Sequence, residues 1–432
     1  MKKELRKKAL EEIKNKKENI KRTGIPIIYQ GERKEFSAYK IPLNLLIYNK
    51  RNGRIGSSVK SFESQYRELD PENEADAKKI EEFLWQSKED RNENTMDSLV
   101  KNGQQIHGIV TNDGVIIDGN RRAMLLNRIY RNRKKWEDES HNVDECQFFI
   151  AIILPEGADP KEVMCLETTY QMGEDKKLDY NAIEKYLKCK DLKAVGFNNS
   201  DIATMMGESE SQIKEWSEIM KLMDEYLELL NYQGIYTRLE KREGQFVDFT
   251  KYLSRYENKS AMVSWPYDET DITDLKSIGF DYIRAQYEGK EFRVIAQPSK
   301  KDSFFCNEKV WNDFRNRHFE YTKNVTEESP EEFRDKNPDA DLSKIFRGRD
   351  EKWTDQIKNK LKGNLGMSRQ MLENINEANE PMALLRRAKD TLESINTENE
   401  AFYDDKDVAA ILKEINSLIW NYQQKIKHND RD

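Results

Sequence analysis

The stretch from Ile106 to Tyr130 constrains this chain more than any other. Two β-rich runs, Ile106 to Val110 and Val115 to Ile117, are split by Asn112-Asp113-Gly114, a tight-turn signal. The second run ends in Asp118-Gly119-Asn120-Arg121-Arg122, and Ala123 to Tyr130 continues with helical spacing. A strand that hands over to a helix through a glycine has a physical use. Gly119 lets the backbone turn sharply and approach a ligand closely. Amides of the first helical turn, with the helix dipole behind them, attract an anion. Arg121 and Arg122 add two planar guanidinium forks, each able to grip a phosphate in two places. Asp118 can cap the helix or help hold a hydrated divalent metal. The plainer alternative is a turn and a cap, with both arginines salt-bridged to neighbouring acids.

The flanking sequence builds a unit around this motif. Residues 36–57 read as a short strand followed by a polar loop that carries Arg54. Residues 61–93, rich in Glu and Asp and including Pro71, read as an inserted acidic helix or two. Thr95 to Val100 opens a short helix that Gly103 stops, and Phe148 to Leu154 is a buried strand. Residues 36–155 therefore form an α+β unit. Residues 1–22 hold ten Lys/Arg and four acids, which predicts either a solvated terminal helix or an arm that tracks phosphates.

Beyond Asp179, which can cap a helix from Tyr180 to Lys190, the chain turns helical. Ala203, Gly207 and Ile213 have the spacing of a helix-turn-helix: a small residue where two helices touch, a glycine in the turn, a β-branched lock. Ile213, Trp216, Met220, Met223, Leu227 and Leu230 form one apolar helix face. Tyr282 to Tyr287 and Phe292 to Ala296, around Glu288-Gly289-Lys290, predict a hairpin inside a small aromatic-rich unit. Residues 326–350 read as a linker with Pro330 and Pro338. Past it, Leu385/Ala388/Leu392/Ile395 and Val408/Ile411/Ile415/Leu418/Tyr422 are short heptad-like seams around a polar turn at 396–406. They predict a helical hairpin able to join a second copy or another protein.

Composition removes several function classes. The formal charge of the 432 residues is −7, from 73 Lys+Arg and 80 Asp+Glu, which argues against a globally basic nucleic-acid coat. The longest apolar run, Phe148 to Leu154, falls far short of the ~20 residues that span a bilayer, and no secretory signal is visible. A cytoplasmic protein without a membrane segment is expected. Four cysteines and four histidines are scattered without zinc-site spacing. Walker A, G-x-G-x-x-G and G-x-S-x-G signatures are missing.

In its order of motifs, the stretch 95–129 resembles the ParB/sulfiredoxin superfamily, in which a serine-bearing helix and a glycine precede two strands and a Gly-x-Arg-Arg box. Ser98, Gly103, Ile109-Val110, Val115-Ile116-Ile117 and Gly119-Asn120-Arg121-Arg122 stand in those places. Ile41-Pro42 through Asn49 and Arg54 looks like the family's opening strand and Asn/Arg loop. Leu166 to Gln171 falls where ParB proteins carry a Glu-Asn-x-x-Arg box, with Glu167 kept, Thr168 in place of Asn and Gln171 in place of Arg. Residues 118–122 lack the cysteine on which sulfiredoxin chemistry depends.

The resemblance, which covers about 36–225, implies a function and, together with the local patterns on either side of it, a fold. The fold is α+β: a small mixed-sheet domain, then a mainly α-helical region with a helix-turn-helix and a C-terminal helical hairpin. Its divisions are a basic arm at 1–35, the ParB-like domain at 36–175 with the 61–93 insertion, helix-turn-helix helices at 176–230, a small unit at 231–325, the linker at 326–350 and the helical end at 351–432. The implied function is binding of CTP or ATP on Gly119, Asn120, Arg121, Arg122 and Arg54, with Mg²⁺ near Glu167. DNA or a protein partner would respond, in a plasmid, prophage or phage-defence setting. A metal-dependent nuclease using Asp118 and Glu167 is the alternative, and a non-catalytic scaffold is the third reading. In the second helix of the helix-turn-helix, Gln212 and Lys214 are the candidate base contacts, opposed by Glu210, Glu215 and Glu218.

Overall fold

The computed structural model describes residues 1–138, 141–173, 180–287, 289–299, 303–338, 342–399, 401–404 and 406–429. The chain opens with α1 (Lys3–Asn15), then β1 (Ile20–Tyr29) and β2 (Glu32–Pro42), an antiparallel hairpin turning through Gln30 and Gly31, both at positive φ. Three helices follow, α2 (Gly56–Gln65), α3 (Glu74–Gln86) and α4 (Glu89–Asn102). Next come β3 (Gly108–Val110), β4 (Ile116–Asp118), α5 (Asn120–Arg131), α6 (Arg133–Asp138) and β5 (Phe148–Ile153). The strands make one mixed sheet in the order β1-β2-β5-β3-β4, with β5 parallel to β3 and antiparallel to β2.

Period-2 alternation in β5 divides the core between the two faces of the sheet. Phe149, Ala151 and Ile153 pack with Ile80, Leu84, Leu99, Met124 and Ile129 from α3, α4 and α5. Ile152 packs on the other face with Ile109, Ile117, Ile27 and Leu166. The acidic 61–93 stretch is thus part of the main core, not an appendage: Ile80 and Leu84 are fully buried. Nor is 1–35 a free arm. Leu10 is buried, and the buried Arg6 donates to Glu72 and to the Asp113 carbonyl in the β3–β4 turn. Lys3 pairs with Asp113 at 2.8 Å. Gly24 and Pro26 interrupt the sequence pattern of strand β1; at the sheet edge a proline is tolerated.

The remaining chain is helical. α7 (Pro160–Thr168) runs into a further turn at Thr169–Gly173, and α8 (Ala182–Ala194) is capped by Asn181. The expected cap, Asp179, lies outside the described residues. α9 (Asn199–Met206) and α10 (Glu210–Leu229) are joined through Gly207, left-handed at φ 61°. α10 carries the apolar face expected from Ile213 onward, with Ile213, Trp216, Met220, Met223 and Leu227 buried. Then come α11 (Glu243–Glu257), α12 (Glu269–Arg284), α13 (Gly289–Ala296) and α14 (Glu308–Thr322). The expected hairpin at 282–296 is instead the end of α12 and the whole of α13; its turn residue Glu288 lies outside the described residues. α15 (Pro330–Asp335) and the start of α16 (Leu342–Glu393) replace the expected linker, and Arg349 and Asp350 there are buried. α17 (Ala401–Asp404) and α18 (Lys406–Asn429) complete the chain.

Two compact units result, Met1–Leu365 and Gly366–Asp432. In the second, residues of both heptad-like seams are exposed, among them Leu385, Ile395, Ile411, Leu418 and Tyr422. Among the described residues, no helix is long and apolar enough to cross a membrane.

Candidate functional site

Gly119 is the hinge of the motif. Its φ of 99° is left-handed, and a Cβ there would come within 2.6 Å of the Phe149 ring. It serves as N-cap of α5 and, having no side chain, gives that helix no side-chain cap bond. Asp118 does not cap α5; its Oδ2 accepts from Arg122 Nη2 at 2.8 Å. Arg122 Nη1 donates to the carbonyls of His107 (3.1 Å) and Ile106. Arg121 Nε donates to Asn92 Oδ1 at 2.9 Å, and its Nη2 approaches the Lys88 carbonyl. Asn120 is buried inside the fold: its Nδ2 donates to the Ile116 carbonyl and its Oδ1 accepts from the Asn49 amide at 2.8 Å.

That last bond ties the motif to the loop after β2. Asn49 and Asn52 each accept from an amide two residues on, at Arg51 and Arg54, which makes two successive Asx turns. The loop is then fastened to α7 and the turn after it. Gly53 N donates to Glu167 Oε1 at 3.3 Å, and Asn52 Nδ2 donates to Gln171 Oε1 at 3.2 Å. Gln171 also donates to the Ile117 carbonyl at 2.7 Å and accepts from Tyr180 Oη at 2.8 Å. The Arg54 guanidinium carbon sits 5.0 Å from the centroid of the Tyr180 ring. Three stretches distant in sequence (49–54, 118–122 and 167–171) meet in one polar place.

The electrostatics are set by burial. Lys188 Nζ, on α8, donates to Glu167 Oε2 at 3.1 Å, and both side chains are almost wholly buried. Burial pushes the Glu167 carboxyl up; Lys188 and the Gly53 and Asn49 bonds oppose it. Burial also lowers the Arg122 guanidinium, Asp118 resists, and neighbouring Arg54 adds to the lowering. Glu184 accepts from Ser57 N at 3.2 Å and Ser57 Oγ at 2.5 Å, so the N-terminus of α2 is already covered by a carboxyl group of the chain itself. Burial lifts that carboxyl to about 7.

Glu167 is the residue that the resemblance offers for Mg²⁺, and its surroundings do not fit that task. Lys188 supplies a cation at Oε2, and Gly53 N occupies Oε1. Among the described residues there is no group of three or more His, Cys, Asp or Glu that could hold a metal ion.

Gln212 and Lys214 lie elsewhere, on the first turns of α10. Lys214 is exposed, whereas Gln212 Nε2 donates to Glu215 on its own helix at 3.1 Å, and Glu215 pairs with Lys251 of α11. Sequence reasoning missed Lys188, Tyr180, Asn52 and the bridging role of Gln171. Only the Asx-forming residues left a local signal, the paired Asn49 and Asn52 flanking a polar loop. Compared with models of protein families, with curated proteins and with solved structures, the chain gives no match.

Proposed function

We propose that this chain is a ParB-like nucleotide-binding protein, with the phosphates of CTP or ATP received at the first turn of α5. The observation that carries this reading is the convergence of the 49–54 loop, the 118–122 motif and the 167–171 turn in one polar cluster. The turn offers backbone amides and the positive end of a helix dipole. Arg122, and Arg54 close enough to depress it, bring guanidinium charge to the same place, and Arg121 stands on the same turn. The Arg122–Asp118 pair opens when a phosphate replaces the carboxylate; exchanging one anion for another keeps the guanidinium satisfied. Lys188 stands beside Glu167 where a divalent cation would otherwise neutralise it, so nucleotide binding here does not depend on a protein-held metal. Nucleotide occupancy then governs engagement with DNA or a partner protein, the helix-turn-helix and the exposed apolar residues of α18 being the surfaces available for it.

Calorimetric titration of the full chain with all four ribonucleoside triphosphates, with Mg²⁺ and with EDTA, tests the reading. Binding of one or two of them is expected, with an affinity that EDTA changes by less than about threefold, under 1 kcal/mol. Absence of heat with every triphosphate would contradict it.

A further inference from the structure

A second site lies on the helical part of the first unit. A cleft of about 980 Å³ opens at the start of α11, in the size range of nucleotide-like ligands. Arg242, the N-cap of α11, lines it and gives that helix no side-chain cap bond. Arg242 is 8% exposed, and its Nη1 donates only to neutral acceptors, Tyr226 Oη at 2.9 Å and the Ile283 carbonyl at 2.8 Å. Among the described residues no carboxylate forms an ion pair with it.

The buried charges around it are unbalanced. Arg238, 5% exposed and also lining the cleft, gives Nη2 to Asp350, but its Nε has no partner. Asp350 also accepts from Arg284 Nε at 2.8 Å, while Glu327 serves both Arg284 and Arg349. Arg238, Arg284 and Arg349 thus pair with Asp350 or Glu327, whereas Arg242 pairs with no carboxylate among the described residues. A buried guanidinium without a charged partner is costly unless something anionic joins it. On the cleft wall the deficit is of the opposite kind: Glu243 Oε2 is buried and has no donor. Asp248, another acid of the wall, is already taken by Arg293.

We propose that this cleft binds a phosphorylated sugar of mononucleotide size, its phosphate on Arg238, Arg242 and the first amides of α11, and its hydroxyls on Glu243. The match is one of unmet needs. The Arg238 Nε–H, which lacks an acceptor, receives a phosphate oxygen, and Glu243 Oε2, which lacks a donor, receives a ribose hydroxyl. The half-buried Tyr287 ring on the same wall is placed to cover a base. This site is separate from the α5 pocket and stands whether or not that pocket binds nucleotide.

The test is calorimetry on the full chain with inorganic phosphate, ribose 5-phosphate and a nucleoside monophosphate, repeated in an Arg121→Ala/Arg122→Ala background. Expected is binding of both sugar phosphates, tighter than inorganic phosphate, retained in that background and weakened about tenfold by Arg242→Gln. Glu243→Leu is expected to erase the preference for the sugar phosphates. If Arg242→Gln lowers the melting temperature too far to be used, Arg347→Glu, an exposed change on the cleft rim, is expected to weaken binding in its place. Binding that disappears in the Arg121/Arg122 background and ignores Arg242 and Arg347 overturns the proposal, as does failure of any sugar phosphate to bind up to about 10 mM. Equal affinity for inorganic phosphate and ribose 5-phosphate overturns the sugar assignment.

Discussion

Gly119 and Glu184 are two residues at which local chemistry commits the structure most firmly. Gly119→Ala must place a Cβ against Phe149 while holding a φ of 99°, so a loss of about 1–3 kcal/mol is expected in chemical denaturation. Glu184 sits buried on the α2 N-terminus, with its carboxyl lifted from 4.5 to about 7. A raised carboxyl favours the fold while protonated. Its contribution is therefore fully present below about pH 4.5 and is lost as pH rises through 7, by at most about 3 kcal/mol. Glu184→Gln is expected to flatten that fall in a pH series of melting temperatures; an unchanged slope would place the titration elsewhere. Residues of this kind differ in legibility. Gly119 announces itself between a strand and a helix, whereas the Glu167–Lys188 pair joins two helices and leaves no mark in either local pattern.

At the level of elements, what could be read was what is local. The strand-turn-strand-helix of 106–130 was recovered because turn residues, alternation and helical spacing agree over one short stretch, and the α9–Gly207–α10 turn for the same reason. The 282–296 segment misled because its aromatic and β-branched residues suit strands. They are buried there on helices: Tyr282, Ile283, Phe292 and Ile295 all face the core. The capping box of Asp268 and Asp271 was the better signal, lying well upstream of the misread residues. Helix α1 makes a further test. Its basic composition predicts either a solvated terminal helix or a phosphate-tracking arm, but Arg6 is buried against Glu72 and the Asp113 carbonyl. Arg6→Ala is accordingly expected to destabilise the fold by about 2 kcal/mol and to leave triphosphate affinity unchanged. A variant of native stability with weakened nucleotide binding would restore the arm.

For the molecule as a whole, the fold brings to one place three stretches that the sequence could only order along a line. The loop at 49–54 meets the 118–122 motif through Asn120, and the 167–171 turn through Glu167 and Gln171. Tertiary convergence of that kind is invisible to spacing, which marks Gly119 and the two arginines but neither Tyr180 nor Lys188. Charge follows the same logic, since a chain of net −7 can still gather arginines at a helix mouth. The most direct measurement is triphosphate affinity of the full chain against that of Arg121→Ala/Arg122→Ala, with matched melting curves. Loss of about 100-fold or more, measured where the variant is still folded, is what two charge-assisted contacts predict. Undiminished affinity in the double variant would contradict a phosphate site at the mouth of α5.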